Sequence, residues 1–112
     1  MCISIGGYFH KMKIRDMINT ALQFCVEKSS TKDTASVERL IQENDRWANS
    51  TFRYALGKEI CKFLSQSYEE IESCYIFGSS LSDTAHIASD IDLVIKLKSN
   101  SKELILINPI IF

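Results

Sequence analysis

Apolar and polar residues alternate at helical spacing through the first half of the chain. Apolar side chains recur every three or four positions from Met12 to Val26, which predicts an amphipathic helix. The segment from Glu27 to Ser36 is polar and predicts a loop. Helical spacing returns from Val37 to about Leu64, and Ser36 or Thr34 is the expected N-cap.

The second helical segment contains a weak point. Its apolar face fades between Glu43 and Asp45, and Asn49-Ser50-Thr51 offers a new cap. The segment is therefore either one long helix or two shorter ones. At the other end of the chain, Met1 to Phe9 is short and apolar and is expected to be a frayed terminus or a short strand.

Short apolar runs in the second half are typical of strands. We expect strands at Cys74 to Phe77, Ile91 to Leu97 and Leu104 to Ile107, and a helix-ending acidic stretch at Tyr68 to Ser73. Helices that precede clustered strands predict an α+β fold, with N-terminal helices followed by a small mixed β-sheet. We expect a single domain over residues 1–112, mainly helical over 12–67 and with its sheet over 74–107.

Composition narrows the class of protein. The chain has 112 residues, is 46% hydrophobic and 24% charged, and carries a net charge of −1, which disfavours extensive nucleic-acid binding. Cys2, Cys25, Cys61 and Cys74 lack the spacing of a zinc site and are expected to be reduced thiols of a cytoplasmic protein. A signal peptide is not expected, and no apolar run approaches the length of a membrane span.

A glycine followed by serines ends the first predicted strand. Gly78 lets the backbone turn sharply and approach a ligand closely, since it has no Cβ. Ser79 and Ser80 add hydroxyl groups where a short helix could begin, and such groups suit phosphate oxygens. Taken alone, the same residues favour an ordinary polar turn over a phosphate site.

Two aspartates begin the next predicted strand. Asp90 and Asp92 are two residues apart, so a strand places both carboxylates on one face, with Cα atoms about 6.5–7 Å apart. The two charges repel each other unless solvent, hydrogen bonds or a cation compensate them. Mg²⁺ accepts such ligands and fills its other positions with water and substrate phosphates. A solvated strand entry remains the alternative for this pair taken alone.

The combined pattern resembles a known family. A strand ending in Gly78-Ser79, ten intervening residues, and Asp90-Ile91-Asp92 at the start of another strand are similar to the minimal nucleotidyltransferases of the DNA polymerase β superfamily. The resemblance covers about Cys74 to Leu97. It implies Mg²⁺-dependent, two-metal transfer of a nucleotidyl group from a nucleoside triphosphate, which we expect to be ATP, to an unknown hydroxyl group. Gly78, Ser79 and Ser80 would bind the phosphates, and Asp90 and Asp92 would hold the metal.

Two departures from the family pattern limit this prediction. Family members often place a basic residue and a glycine after Gly-Ser, whereas this chain has Ser80-Leu81-Ser82. The family also takes a third carboxylate from a later strand, and Glu103 is the only acidic residue after Asp92. Glu103 is thus the one candidate for the third metal ligand, although a solvated loop glutamate is the favoured interpretation of this residue. The apolar end of the chain soon afterwards suggests a C-terminal truncation.

These departures keep other functions open. The resemblance also allows a catalytically reduced nucleotide-binding module or an antitoxin-type module that acts through a helical protein partner, or a homodimer. A third alternative is an α+β domain in which the two aspartates are incidental. His86, Lys96 and Lys98 are weaker candidates for phosphate contacts. Trp47, Phe52 and Tyr54 could stack on a base, although a place in the core is favoured for Trp47 and Phe52.

Overall fold

Three helices precede three strands in the structure, a computed structural model that describes residues 11–78, 81, 83–107 and 109. This order confirms the predicted α+β class, while the prediction for Met1 to Phe9 lies outside the described residues. The elements are α1 (Lys11–Lys28), α2 (Thr34–Gln42), α3 (Arg46–Ser67), β1 (Ile71–Phe77), β2 (Ile91–Leu97) and β3 (Lys102–Ile107).

The long helical segment is divided into α2 and α3, at the predicted weak point. The break begins beyond Gln42, and Asn44 adopts a left-handed conformation with φ of 64°. The N-cap of α3 is Asp45, whose carboxylate accepts a hydrogen bond from the Ala48 amide at 2.8 Å. The prediction of a cap at Asn49-Ser50-Thr51 was therefore wrong, because these residues already lie within the first turns of α3.

The first residue of α2 is also preceded by an aspartate cap. The Asp33 carboxylate accepts hydrogen bonds from the amide and the hydroxyl of Ser36, each at 2.8 Å. Ser36 therefore donates to the cap, and Thr34 is the first helical residue. The predicted caps were one to three residues too late, because Asp33 offers a charged acceptor to the first turn.

The sheet is antiparallel in its described strands. The strand order is β1-β2-β3, and both pairs of neighbours run antiparallel, rather than forming the mixed sheet that we predicted. The turn from β2 to β3 is short, and a short turn can join only antiparallel neighbours. Strand β1 begins at Ile71, within the stretch predicted to end the helix, because Ile71 is buried and pairs with Leu97.

The helices cover one face of the sheet. In β2 the side chains of Ile91, Leu93 and Ile95 are fully buried and belong to the same core as Leu56 and Ile60 of α3. The alternate residues of the strands face away from the helices, since successive side chains point to opposite faces. This second face carries exposed apolar side chains from both outer strands: Tyr75, Phe77, Leu104 and Leu106. We call it the open face.

Three of the four cysteines lie within the described part of the chain, and Cys2 lies outside it. Cys25 is buried, Cys61 and Cys74 are half-buried, and all three are free thiols. Among the residues described by the structure, no helix is long and apolar enough to cross a bilayer.

Candidate functional site

The two halves of the Gly-Ser and Asp-x-Asp pattern meet at the end of β1. Phe77, the last residue of this strand, pairs with Asp92 of β2, so Gly78 begins just beyond that pair. Gly78 has φ of +88°, and a Cβ added to it would collide with Oδ2 of Asp92. The backbone at position 78 therefore lies directly against the carboxylate, and only glycine leaves room for this approach.

Asp90 immediately precedes β2, and Asp92 is the second residue of this strand. Both are half-buried, and they alternate with Ile91 and Leu93, which are fully buried on the helix side. The alternation within β2 places Asp92 toward the open face. The residues that pair with Asp92 across the sheet are Phe77 and Leu106, which are apolar, so its neighbours in the sheet supply no compensating charge.

Only part of the Gly-Ser segment is described by the structure. Ser79 and Ser80 lie outside the described residues, so their contribution to phosphate binding stays a prediction. The chain turns immediately after β1, because the Leu81 amide donates to the Gly78 carbonyl at 3.0 Å. This turn shares its first residue with the close approach to Asp92, and a ligand bound at the turn would therefore lie near the carboxylate.

The structure does not bring Glu103 together with the two aspartates. Glu103 pairs with Ile95, and cross-strand partners project on the same face, so Glu103 lies on the helix side of the sheet. The position opposite Asp92 on β3 belongs to Leu106. Glu103 instead lines a cavity of about 570 Å³ with Glu69 and Glu70. Within the described part of the chain, no group of three or more His, Cys, Asp or Glu residues is arranged to hold a metal ion.

A buried arginine that the sequence reasoning did not single out holds the segment before the aspartates. Arg53 of α3 is only 1% exposed. Its Nε donates to the Ser89 carbonyl at 2.8 Å, and its Nη2 donates to the Ile87 carbonyl at 2.9 Å. Burial lowers the pKa of the Arg53 guanidinium, and the negative charge of Asp90 opposes that shift.

Two further side chains hold the same loop against the helices. The Ser50 hydroxyl accepts a hydrogen bond from the Ala85 amide at 2.9 Å, and Oδ1 of Asn44 accepts one from the Ile87 amide at 2.8 Å. Ser50 is 3% exposed, which is unusual for a serine in a helix and is explained by this bond. The only sequence signal for Ser50 was its position as a polar residue on an otherwise apolar helix face.

The weaker candidates for ligand contact have other roles in the structure. Nδ1 of His86 accepts a hydrogen bond from the Ala88 amide at 3.2 Å, within a local turn. Lys96 forms an ion pair with Glu72 at 3.4 Å on the open face. Phe52 is in the core, whereas Trp47 and Tyr54 line a cavity of about 520 Å³ that also includes Leu81 and Asp83 of the loop.

The sequence matches one protein family. The family described as "Polymerase beta, Nucleotidyltransferase" matches residues 58–109, which comprise the second half of α3, the whole described sheet and the Gly78 to Asp92 pattern. No curated protein and no solved structure gives a significant match to this sequence. The geometry and the match agree that residues 58–109 of this chain resemble a polymerase β-type nucleotidyltransferase domain.

Proposed function

We propose that the protein binds a nucleoside triphosphate, ATP in the first instance, together with Mg²⁺, and transfers its nucleotidyl group to a hydroxyl acceptor. The observation that carries this proposal is the contact between the backbone at Gly78 and the carboxylate of Asp92. This contact places a turn that can bind phosphate oxygens next to a carboxylate that can bind the divalent cation of a metal–nucleotide complex.

The residues present fit a divalent cation. Asp92 supplies a hard oxygen ligand from a strand that is fixed by a buried core, and Asp90 supplies a second one from the residue just before that strand. Mg²⁺ needs only one or two protein carboxylates when phosphates and water complete its shell, so the absence of Glu103 from this face does not prevent binding. When bound, the cation would neutralise phosphate charge and stabilise the oxygens that attack and leave.

In the proposed reaction, an acceptor oxygen forms a bond to the α-phosphorus of the triphosphate. The bond between this phosphorus and the oxygen that bridges to the β-phosphorus breaks, and pyrophosphate leaves with that oxygen. The acceptor proton passes to solvent or to a nearby carboxylate. The turn at Gly78, with Ser79 and Ser80, would orient the phosphates, and Asp90 and Asp92 would hold the cation beside them.

Calorimetric titration with ATP and Mg²⁺ tests the binding step. We expect metal-dependent binding by the wild type and its loss in Asp90→Asn and Asp92→Asn, since an amide is a much weaker ligand for Mg²⁺ than a carboxylate. Asp16→Asn makes the same chemical change at an exposed position of α1 and should bind as the wild type does. Equal binding by all four proteins, or binding that chelation of Mg²⁺ leaves unchanged, would refute the proposal.

A second candidate function is favoured by the position of Glu103. Because this glutamate lies on the helix side of the sheet and Leu106 faces Asp92, the described part of the chain offers two carboxylates rather than three. The chain would then act as a nucleotide-binding or antitoxin-type module, through a helical protein partner or as a homodimer, in the cytoplasm where nucleoside triphosphates are abundant. Nucleotide binding without pyrophosphate release across a panel of hydroxyl acceptors would favour this module over the enzyme.

A further inference from the structure

We propose that Arg53 is a positioning residue for Asp90 and Asp92, and that it acts through the backbone of residues 87–89. The inference rests on the proposed function, since it concerns how the same two carboxylates are held. Arg53 and its hydrogen-bond partner Asn49 both precede residue 58, where the family match begins. The proposed support of the site therefore comes from a part of the chain outside the matched segment.

The guanidinium bonds directly to the peptide that leads into Asp90. Its Nε donates to the carbonyl of Ser89 at 2.8 Å, and that carbonyl belongs to the peptide bond whose nitrogen is that of Asp90. Its Nη2 donates to the carbonyl of Ile87 at 2.9 Å. Two donors in one rigid plane thus fix two carbonyls that are two residues apart, and they set the direction in which the chain enters β2.

Asn49 fixes the guanidinium group of Arg53 by a further hydrogen bond. Its Nη1 donates to Oδ1 of Asn49 at 2.8 Å, and Nδ2 of Asn49 donates to the carbonyls of Asp45 at 2.8 Å and Ile41 at 3.2 Å. Asn49 is 0% exposed and Arg53 is 1% exposed. A continuous set of hydrogen bonds therefore runs from the end of α2 through Asn49 and Arg53 to the segment before Asp90.

Charge explains why an arginine occupies this position. A buried cation is costly unless it is hydrogen-bonded and paired with an opposite charge. Carbonyl oxygens satisfy the donors of Arg53, and the charge of Asp90 acts favourably on the guanidinium. Arg53 therefore compensates part of the negative charge of Asp90. A lysine keeps the charge, but one ammonium group cannot reproduce the planar pair of donors.

The test compares Arg53→Lys and Arg53→Met with the wild type, using Arg46→Met as the control at an exposed position of the same helix. Circular dichroism establishes a temperature at which all four proteins are folded. At that temperature, amide hydrogen exchange is measured by NMR at Ile87 and Ser89, and Mn²⁺ binding is measured by electron paramagnetic resonance. We expect faster exchange at both amides in the two Arg53 variants, and Mn²⁺ binding weakened by about tenfold, the usual scale for loss of a group that orients metal ligands.

Each outcome decides the proposal. Faster exchange and weaker Mn²⁺ binding in Arg53→Lys, with Arg46→Met unchanged, support positioning by the guanidinium fork rather than by charge alone. Unchanged amide exchange at Ile87 and Ser89 in the Arg53 variants overturns the proposal. Faster exchange together with wild-type affinity for Mn²⁺ also overturns it, because Arg53 would then contribute only to stability. If the wild type does not bind Mn²⁺ with or without ATP, this result counts against the proposed function instead. The amide exchange rates then decide separately whether Arg53 fixes the segment before Asp90.

Discussion

The backbone of Gly78 lies against the carboxylate of Asp92, so closely that a Cβ at position 78 would collide with Oδ2. The contact arises because β1 ends at Phe77, which pairs with Asp92. The chain thus leaves the sheet after Phe77, which pairs with Asp92, and it re-enters the sheet at Ile91, one residue before Asp92. A turn and a carboxylate separated by more than ten residues in sequence become parts of one site.

Replacement of Gly78 by alanine should therefore damage the site more than the fold. The residue has φ of +88°, where an L-amino acid costs about 1–2 kcal/mol, and its Cβ would push the Asp92 side chain away. We expect a modest loss in the free energy of unfolding in urea, together with loss of metal-dependent ATP binding in calorimetry.

Asn100→Ala is the matched control for this substitution. Asn100 also has positive φ, at 69°, but it lies in the turn between β2 and β3. The two variants share the backbone strain, and only Gly78→Ala places a carbon against Asp92. Equal nucleotide affinity in both variants and the wild type would show that the approach of Gly78 to Asp92 has no part in binding.

A carboxylate introduced opposite Asp92 should create the third ligand that the described strands lack. Leu106 pairs with Asp92 and is 57% exposed, so Leu106→Asp loses little core packing. Like charges directly opposite each other destabilise a strand pair. We expect a lower melting temperature than the wild type in EDTA, and a larger increase on addition of Mg²⁺.

Leu104→Asp provides the comparison on the same face. Leu104 is 60% exposed and pairs with Val94 instead of Asp92. Its melting temperature should respond to Mg²⁺ as that of the wild type does. An equal response of both variants would mean that the cation is not bound near Asp92.

The free thiols should react in an order that follows their surroundings. Burial raises the pKa of the Cys25 thiol to about 11, whereas a hydrogen bond from the Cys61 thiol lowers the pKa of Cys74 and raises that of Cys61. Since the thiolate is the reactive form, iodoacetamide near pH 8 should modify Cys74 before Cys25 in the folded protein, as followed by mass spectrometry. Modification of Cys25 should accelerate as the pH rises toward 11.

Cys61→Ala is the control for the thiol pair. It removes the hydrogen-bond donor to Cys74, so the pKa of Cys74 should rise and its modification near pH 8 should slow, while Cys25 is unaffected. Modification of Cys25 ahead of Cys74 in the wild type would contradict the assigned environments.

The same shift gives a dependence of stability on pH. The Cys25 pKa is higher in the folded protein than its ordinary value of 9.0, so the folded state binds more protons than the unfolded state between pH 9 and about 11. The contribution of Cys25 to stability is therefore complete below pH 9 and is lost as the pH rises through this range. The free energy of unfolding in urea is to be measured for the wild type and for Cys25→Ala at pH 8 and at pH 10.5. It should decrease less between these two pH values in the variant than in the wild type.

The local pattern was enough to predict the elements and the central pair of motifs. Strand β2 was predicted with its observed limits from the short apolar run of Ile91, Leu93, Val94 and Ile95, and three of these residues are fully buried in one core. The break between α2 and α3 was visible as a loss of apolar periodicity. The positions of the helix N-caps could not be predicted from the sequence, since serine, threonine and aspartate are all preferred N-cap residues and lie close together here.

Two features of the site could not be predicted from the spacing of apolar and polar residues, because they depend on how distant segments pack together. A buried Arg53 cannot be distinguished from a solvated one by spacing alone, because its burial depends on carbonyls of Ile87 and Ser89 more than thirty residues away. The face occupied by Glu103 depends on the register between β2 and β3, and a shift of one residue would reverse it. Register emerges from the pairing of whole strands, so the third ligand could not be judged from sequence order.

Paramagnetic broadening by Mn²⁺ tests the location of the proposed site most directly. In the protein bound to a non-hydrolysable ATP analogue, substoichiometric Mn²⁺ should broaden the amide signals of Gly78, Asp90 and Asp92 first, and Asp92→Asn should abolish this effect. The competing acidic surface lies around the cavity lined by Glu69, Glu70 and Glu103. Broadening that begins at those glutamates, and leaves Gly78 and Asp92 sharp, would contradict the account.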